Sequence, residues 1–288
     1  MDSLNLRNRI ESIDDLPTLP VVVTQILQAT KSLSTNANDV GKLISDDQSL
    51  TVKVLKLVNS PFYGFPQKIK TITHAIVILG FAKVKNIVLA ASVFGMTKGP
   101  KNSTVDICSL WEHALTTGIV CRQLAKLRNS KLDIEEAFVA GLLHDLGKVI
   151  LICNLEDICE QVSAIVREKD CLFYEAEKEL FDFGHDKIGV WLAEKWNLNP
   201  DMIEGIKCHH QPQKARGDKL MAYILHAGDI IARALDVGNG GDNKIPLMDP
   251  KVAEELDLTT ENLDKLMISV LAELDKAKDF FDLIHDQN

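Results

Sequence analysis

The sequence predicts an all-α protein, and three observations carry that prediction. Apolar residues recur at helical spacing along most of the chain, as in Val40, Leu43 and Ile44 and then Leu50, Val54, Leu57 and Val58. No stretch shows a convincing two-residue alternation of a half-buried strand. Short polar residues stand where helices should begin, with side chains able to cap free backbone N–H groups.

Taken in order, Pro17 and Pro20 fix the backbone ahead of a first helix. Asn36 or Asn38 starts the helix that carries Val40. The run from Leu50 to Val58 is another, and Asn59-Ser-Pro-Phe-Tyr-Gly64 supplies its stop and a turn. Ala75 to Met96, the most apolar stretch, is interrupted by Lys83 and Lys85 and reads as two packed helices rather than a membrane span. Two glycines, a proline and small polar residues make Gly95 to Thr104 a linker, with a boundary near Asp106. Beyond it, Asp133 caps a helix opening Ile134-Glu-Glu, where Glu135 and Glu136 suit the positive end of a helix dipole. Ile188, Trp191, Leu192 and the stem of Lys195 mark a further buried face. The breaker-rich segment Gly238 to Pro246 ends another helix and introduces a C-terminal helical pair through Phe281, with a cap at Thr259 to Asn262 ahead of Leu263. The expected organisation is an N-terminal helical part over residues 1–106 and a helical bundle over 107–288 that includes the C-terminal helices.

At 288 residues, 46% hydrophobic and 25% charged, the chain can bury a large core or two modest ones. Its start lacks the basic and apolar regions of a secretory signal, so a cytoplasmic location is expected. Six cysteines form no Cys-x-x-Cys pair and read as buried thiols. Cys208, beside His209-His210, is read as a small buried hydrophobe. The net charge of −9 is uneven, +4 over residues 1–107 and −13 over 108–288. So acidic a second half is poorly suited to binding nucleic acid, whose phosphates need clustered cations.

The chemistry concentrates in that half. His144-Asp145 sits in Gly141-Leu-Leu-His-Asp-Leu-Gly-Lys148, and adjacent imidazole and carboxylate at a helix end can hold an ion from two directions. Candidate partners follow at His113, His185, the pair His209-His210, and Asp229. One histidine on a helix is more often a satisfied core or surface residue than a ligand; the argument rests on the ordered set. Nitrogen and carboxylate donors without thiolate suit iron, manganese, zinc or nickel. Lys148 would share a helix face with His144 if the helix continues, as a phosphate contact or as a solvated cation.

This order of ligand types resembles the HD superfamily of metal-dependent phosphohydrolases, and its HD-GYP branch most closely, over about residues 108–235. Upstream, Leu16-Pro-Thr-Leu-Pro20, Ile44 to Thr51, Leu57-Val-Asn-Ser-Pro-Phe-Tyr-Gly64 and Thr73 to Gly80 resemble the N-terminal signature of HDOD proteins. The resemblance implies that His113, His144, Asp145 and Asp229 ligate one ion and that Asp145 bridges to a second held by His185, His209 and His210. Iron is the metal it favours. Two such ions would activate water and stabilise the oxygens of a phosphodiester, with Asp145 and Lys148 as the residues of any catalysis. After His209-His210, however, comes Gln-Pro-Gln-Lys-Ala-Arg-Gly-Asp218 in place of the loop linked to cyclic di-guanylate recognition. The expectation is a regulatory protein of bacterial signal transduction whose N-terminal helices contact a signalling partner; a phosphodiesterase or phosphatase acting on a nucleotide or other phosphate ester is the alternative.

Overall fold

The computed structural model describes residue 9 and residues 19–29, 36–94, 103–128 and 132–285. Among these residues every regular element is a helix, as the periodicity requires. Pro17 and most of the linker at residues 95–104 lie outside the described residues. Contacts divide the chain into two compact units, residues 18–96 with 271–288, and residues 97–270 with 1–17.

The first unit contains α1 (Val21–Ala29), α2 (Ala37–Ser45), α3 (Gln48–Val58), α4 (Ile72–Leu79) and α5 (Phe81–Val93). Asn36 caps α2, accepting from the Asn38 and Asp39 N–H groups while Asp39 accepts from its own, so two free donors are satisfied reciprocally. Asn59 ends α3 and ties down the following loop, giving its amide N–H to Ile69 and receiving the Ile69 N–H in return. The apolar run does form two helices, but it breaks at Gly80, whose φ of 84° only glycine adopts readily; Lys83 and Lys85 lie inside α5. The last helix among the described residues, α16 (Lys278–His285), packs on α3, with Phe280 edge-on to Phe62 at 5.0 Å between ring centres. Residues 271–288 thus join the N-terminal helices, where the sequence reading places them with the second domain.

The second unit is organised on α6 (Ile107–Leu127), capped by Asp106 and buried along most of its length. It packs most extensively on α7 (Ile134–Leu143) and α13 (Leu220–Ala234). Gly118 and Gly141 let α6 and α7 touch backbone to backbone, since a Cβ on Gly141 would stand 2.7 Å from the Gly118 Cα. Around this pair lie α8 (Leu146–Asn154), α9 (Glu156–Lys169), α10 (Phe173–Phe181), α11 (His185–Lys195) and α12 (Pro200–Cys208), with α14 (Pro250–Glu255) against α13 and α15 (Thr260–Lys276) following. No single helix among the described residues is long and apolar enough to cross a membrane.

Candidate metal centre

Five helices deliver the seven ligand candidates to one place in the second unit. His113 comes from the middle of α6 and Asp229 from the middle of α13, while His185 is the first residue of α11. His144 and Asp145 occupy the break between α7 and α8, and His209 caps α12. The helix does not continue through His144-Asp145; Asp145 takes φ −96° and ψ 14°, a sparsely populated conformation that turns the chain and aims both side chains inward. Gly147 permits the approach of α11, because a Cβ there would lie 2.0 Å from the His185 carbonyl oxygen.

The carboxylates sit among the imidazoles. Asp229 Oδ1 lies 3.0 Å from His113 Nε2 and 3.8 Å from His144 Nε2. Asp145 Oδ2 lies 3.4 Å from His144 Nε2, and its Oδ1 lies 2.9 Å from His185 Nε2, which is itself 3.0 Å from His210 Nε2. Donor atoms converge in three overlapping groups that could hold an ion: His113, His144 and Asp229; His144, Asp145 and His209; and His185, His209 and His210. Apart from half-buried His210, no member is more than 4% exposed.

Two rings are locked by the backbone. His144 Nδ1 contacts the Gly141 carbonyl at 2.7 Å and His209 Nδ1 contacts the Ile206 carbonyl at 2.6 Å, so each Nδ1 carries the proton and each Nε2 keeps its lone pair. The Nε2 atoms of His113, His144 and His209 and Oδ1 of Asp145 are buried with no aligned hydrogen bond. Leaving several such atoms unmade is costly, and inward-facing lone pairs around two carboxylates are what a metal ion satisfies. The residues fit a metal.

A second circle holds these ligands. Glu177 accepts the backbone N–H of His185 at 2.9 Å and its ring Nδ1–H at 2.6 Å. Lys148 gives its ammonium to Asp145 Oδ2 and to the Gly240 carbonyl, both at 2.8 Å. Arg233 spans Asp229 Oδ1 and Asp242 Oδ1, each at 2.9 Å. Lys148 is 1% exposed, so it is no solvated helix-end cation, and two of its three donors are engaged inside the protein. His226, three residues before Asp229, contacts the His209 carbonyl through Nδ1 and receives the Asp249 N–H on Nε2, which makes it a support. Cys208 packs with Ala215 and Ala222 as a small hydrophobe. Glu135 pairs with Arg122 at 2.9 Å, away from these ligands.

Burial would raise the Asp145 and Asp229 carboxyls, but His144, Lys148 and His185 hold the first, and Arg233 and His113 the second, well below the carboxylate range. Burial would lower His185, yet Glu177 and Asp145 hold it up at about 9. His209 and His210 are pushed well down, by burial first and by their neighbouring imidazoles second. Glu177, Asp145, Asp229 and Asp242 face only Lys148 and Arg233 as permanent cations in this network, leaving negative charge that a divalent ion would neutralise.

Glu177, Arg233 and Asp242 escape sequence reasoning. Arg233 left a signal, the four-residue spacing from Asp229 on one helix. Glu177 left none, standing between Glu175 and Glu179 in what reads as a solvated face.

The HDOD domain family model matches residues 16–212. A functionally uncharacterized protein of Treponema pallidum is 29% identical over 200 residues, which is 69% of this chain and 38% of that protein. Ribonuclease Y of Geobacter sulfurreducens is 25% identical over 126 residues, 44% of this chain and 18% of the enzyme. The chain therefore matches well under two thirds of the length of either relative. Among solved structures, an HDOD domain protein of unknown function from Geobacter sulfurreducens superposes with a TM-score of 0.75 at 24% identity, covering 99% of this chain and 98% of that one. A provisionally named phosphohydrolase from Shewanella amazonensis gives 0.73 at 24%, covering 97% and 98%. At these identities the likeness is one of fold.

Proposed function

The chain belongs to the HDOD domain family, and from that premise we propose that it is a regulatory protein of bacterial signal transduction whose second unit holds a dinuclear metal centre. The observation that carries the reading is the closure of the centre: six of its seven ligand candidates are at most 3% exposed, and the supporting residues are committed to one another. A cavity lined by His113 and Arg233 has a volume of about 230 Å³, below the ~300 Å³ at which small-molecule sites begin. Such a centre stabilises and senses more readily than it turns over a phosphodiester. In the first unit, Val21, Val52, Val77 and Ile78 are exposed apolar residues that support contact with a signalling protein.

In this reading His113, His144, Asp145 and Asp229 would hold one ion and His185, His209 and His210 the other, Asp145 reaching both groups through Oδ2 beside His144 and Oδ1 beside His185, with iron the favoured metal. Bound ions would supply Lewis acidity and an activated water. The chain's own contribution is to orient: carbonyls fix His144 and His209, Glu177 fixes His185, Lys148 fixes Asp145 and Arg233 fixes Asp229. The second reading, a metal-dependent phosphohydrolase of nucleotides or other phosphate esters, is favoured by the donor set itself. Elemental analysis of protein purified without chelator tests both, together with turnover of cyclic di-guanylate and general phosphate esters. Up to two transition-metal ions per chain are expected in the wild type, with loss of most of it in Asp145→Ala and negligible turnover. Less than about a tenth of an equivalent in folded protein would sink the metal centre. Asp145-dependent hydrolysis would move the phosphohydrolase reading to first place.

A further inference from the structure

Beside the metal centre, and separate from it, α10, α11 and the segment after α12 enclose a cavity of about 590 Å³, within the ~300–1,000 Å³ of small-molecule sites. Tyr174 forms the shared wall. It lines the cavity and its ring stacks on His210, 4.0 Å between centres at 27°. Phe183 and Trp191 add two more rings, 5.8 Å apart and steeply inclined, which with Tyr174 give flat apolar surface for a planar ring system.

Charge is the second observation. Lys178, Lys187, Lys207, Lys214 and Arg216 line the cavity against Asp182, Asp186 and Glu194. Lys207 is paired with Glu204 at 3.0 Å, and the remaining four cations against three acids are still a local reversal, because residues 108–288 carry 20 Lys and Arg against 33 Asp and Glu. The ammonium groups of Lys178 and Lys187 stand 5.4 and 4.9 Å from the ring centres of Tyr174 and Phe183, so aromatic and cationic surfaces are interleaved. The third observation is Asp186, a half-buried carboxylate on the cavity wall that can accept a hydrogen bond from a donor on a ligand. A bare anion has none to offer; a nucleoside, through its ribose hydroxyls or base N–H groups, does.

We propose that this cavity binds a nucleoside phosphate, with the base against Phe183, Trp191 and Tyr174, the phosphate among the lysines, and Asp186 accepting from the nucleoside. This deepens the regulatory reading by naming the chemistry of a ligand read next to the metal centre. Binding and metal content are measured separately, so either can fail alone.

The test is titration of the 288-residue chain with AMP and GMP, with adenosine and inorganic phosphate as the separated halves and a short single-stranded RNA as a competitor class. Trp191, which lines the cavity, is the reporter, and calorimetry provides an independent reading. Saturable binding of a mononucleotide is expected, retained in excess chelator, with adenosine and phosphate each at least about tenfold weaker. Lys178→Glu, Lys187→Glu and Lys214→Glu in combination should weaken it at least about tenfold, with the circular dichroism melt verifying the fold. Trp191→Leu, read by calorimetry, should weaken it also. Any of four results overturns the proposal: no saturable mononucleotide binding, binding abolished by chelator, binding indifferent to both variants, or phosphate or RNA bound as tightly as the mononucleotide or more so.

Discussion

Because Glu177 accepts both N–H groups of His185, replacing it by glutamine removes the charge that keeps the ring protonated inside the protein. In chelated protein His185 titrates near 9 against about 6.5 when unfolded, so its contribution to stability is complete below about 6.5 and disappears as pH rises through about 9. Chelated Glu177→Gln is therefore expected to be less stable than wild type by about 3–5 kcal/mol near pH 6, the gap closing above the His185 titration, as denaturant melts at the two ends will read. His113, His209 and His210 work in the opposite sense: burial, their largest influence, keeps them neutral, and the stability they lend is lost as pH falls below about 6.5. Lys148→Ala leaves a buried Asp145 oxygen without its ammonium; a loss of about 3–5 kcal/mol is expected in a chelated melt, and an unchanged melt would refute the pairing. The ligand residues were legible in sequence because type and order together specify metal chemistry. Their supports were not, since a buried glutamate and a solvated one look alike until the helix is packed.

At the scale of elements, the break between α7 and α8 depends on α11 pressing against Gly147. Gly147→Ala drives a methyl into the His185 carbonyl and is expected to cost about 3 kcal/mol or more and to lower metal content, measured by melt and elemental analysis. Gly217→Ala, at φ 68° with open space around it, should cost only about 1 kcal/mol and leave the metal in place. Thiols on buried helix faces should be inert: burial pushes Cys159 and Cys208 up to about 11, while Cys108, Cys153 and Cys171 are partly exposed, against the expectation that all six are buried. Timed alkylation with peptide mapping should label Cys108 and Cys171 before Cys121, Cys159 and Cys208. Helix starts such as Asn36 and Asp133 were readable, because a cap is a local contact between near neighbours. The break at Gly80 was masked by the more conspicuous lysines that follow it.

For the molecule as a whole, the relevant fact is that residues 271–288 complete the unit formed by residues 18–96. Breakers and charge shifts mark where a chain turns; they carry no information about a helix returning from far along the sequence, which is why Phe280 against Phe62 could not be foreseen. A fragment spanning residues 97–276 is expected to fold cooperatively and bind metal, whereas residues 18–96 alone should melt broadly until a peptide of residues 271–288 is added, both followed by circular dichroism. A sharp melt of residues 18–96 alone would contradict this. The same discontinuity gives the chain a schedule. From residue 96 to residue 271 the ribosome adds about 175 residues, which at ~5–20 residues per second occupies roughly 10–35 seconds. During that interval the first-made helices lack the aromatic and aliphatic side chains of α16 that close their core, while the ligands of the metal centre are all made by residue 229, before the interval ends. The later-encoded unit is thus positioned to mature first, and the nascent N-terminal helices are the segment a chaperone would shelter.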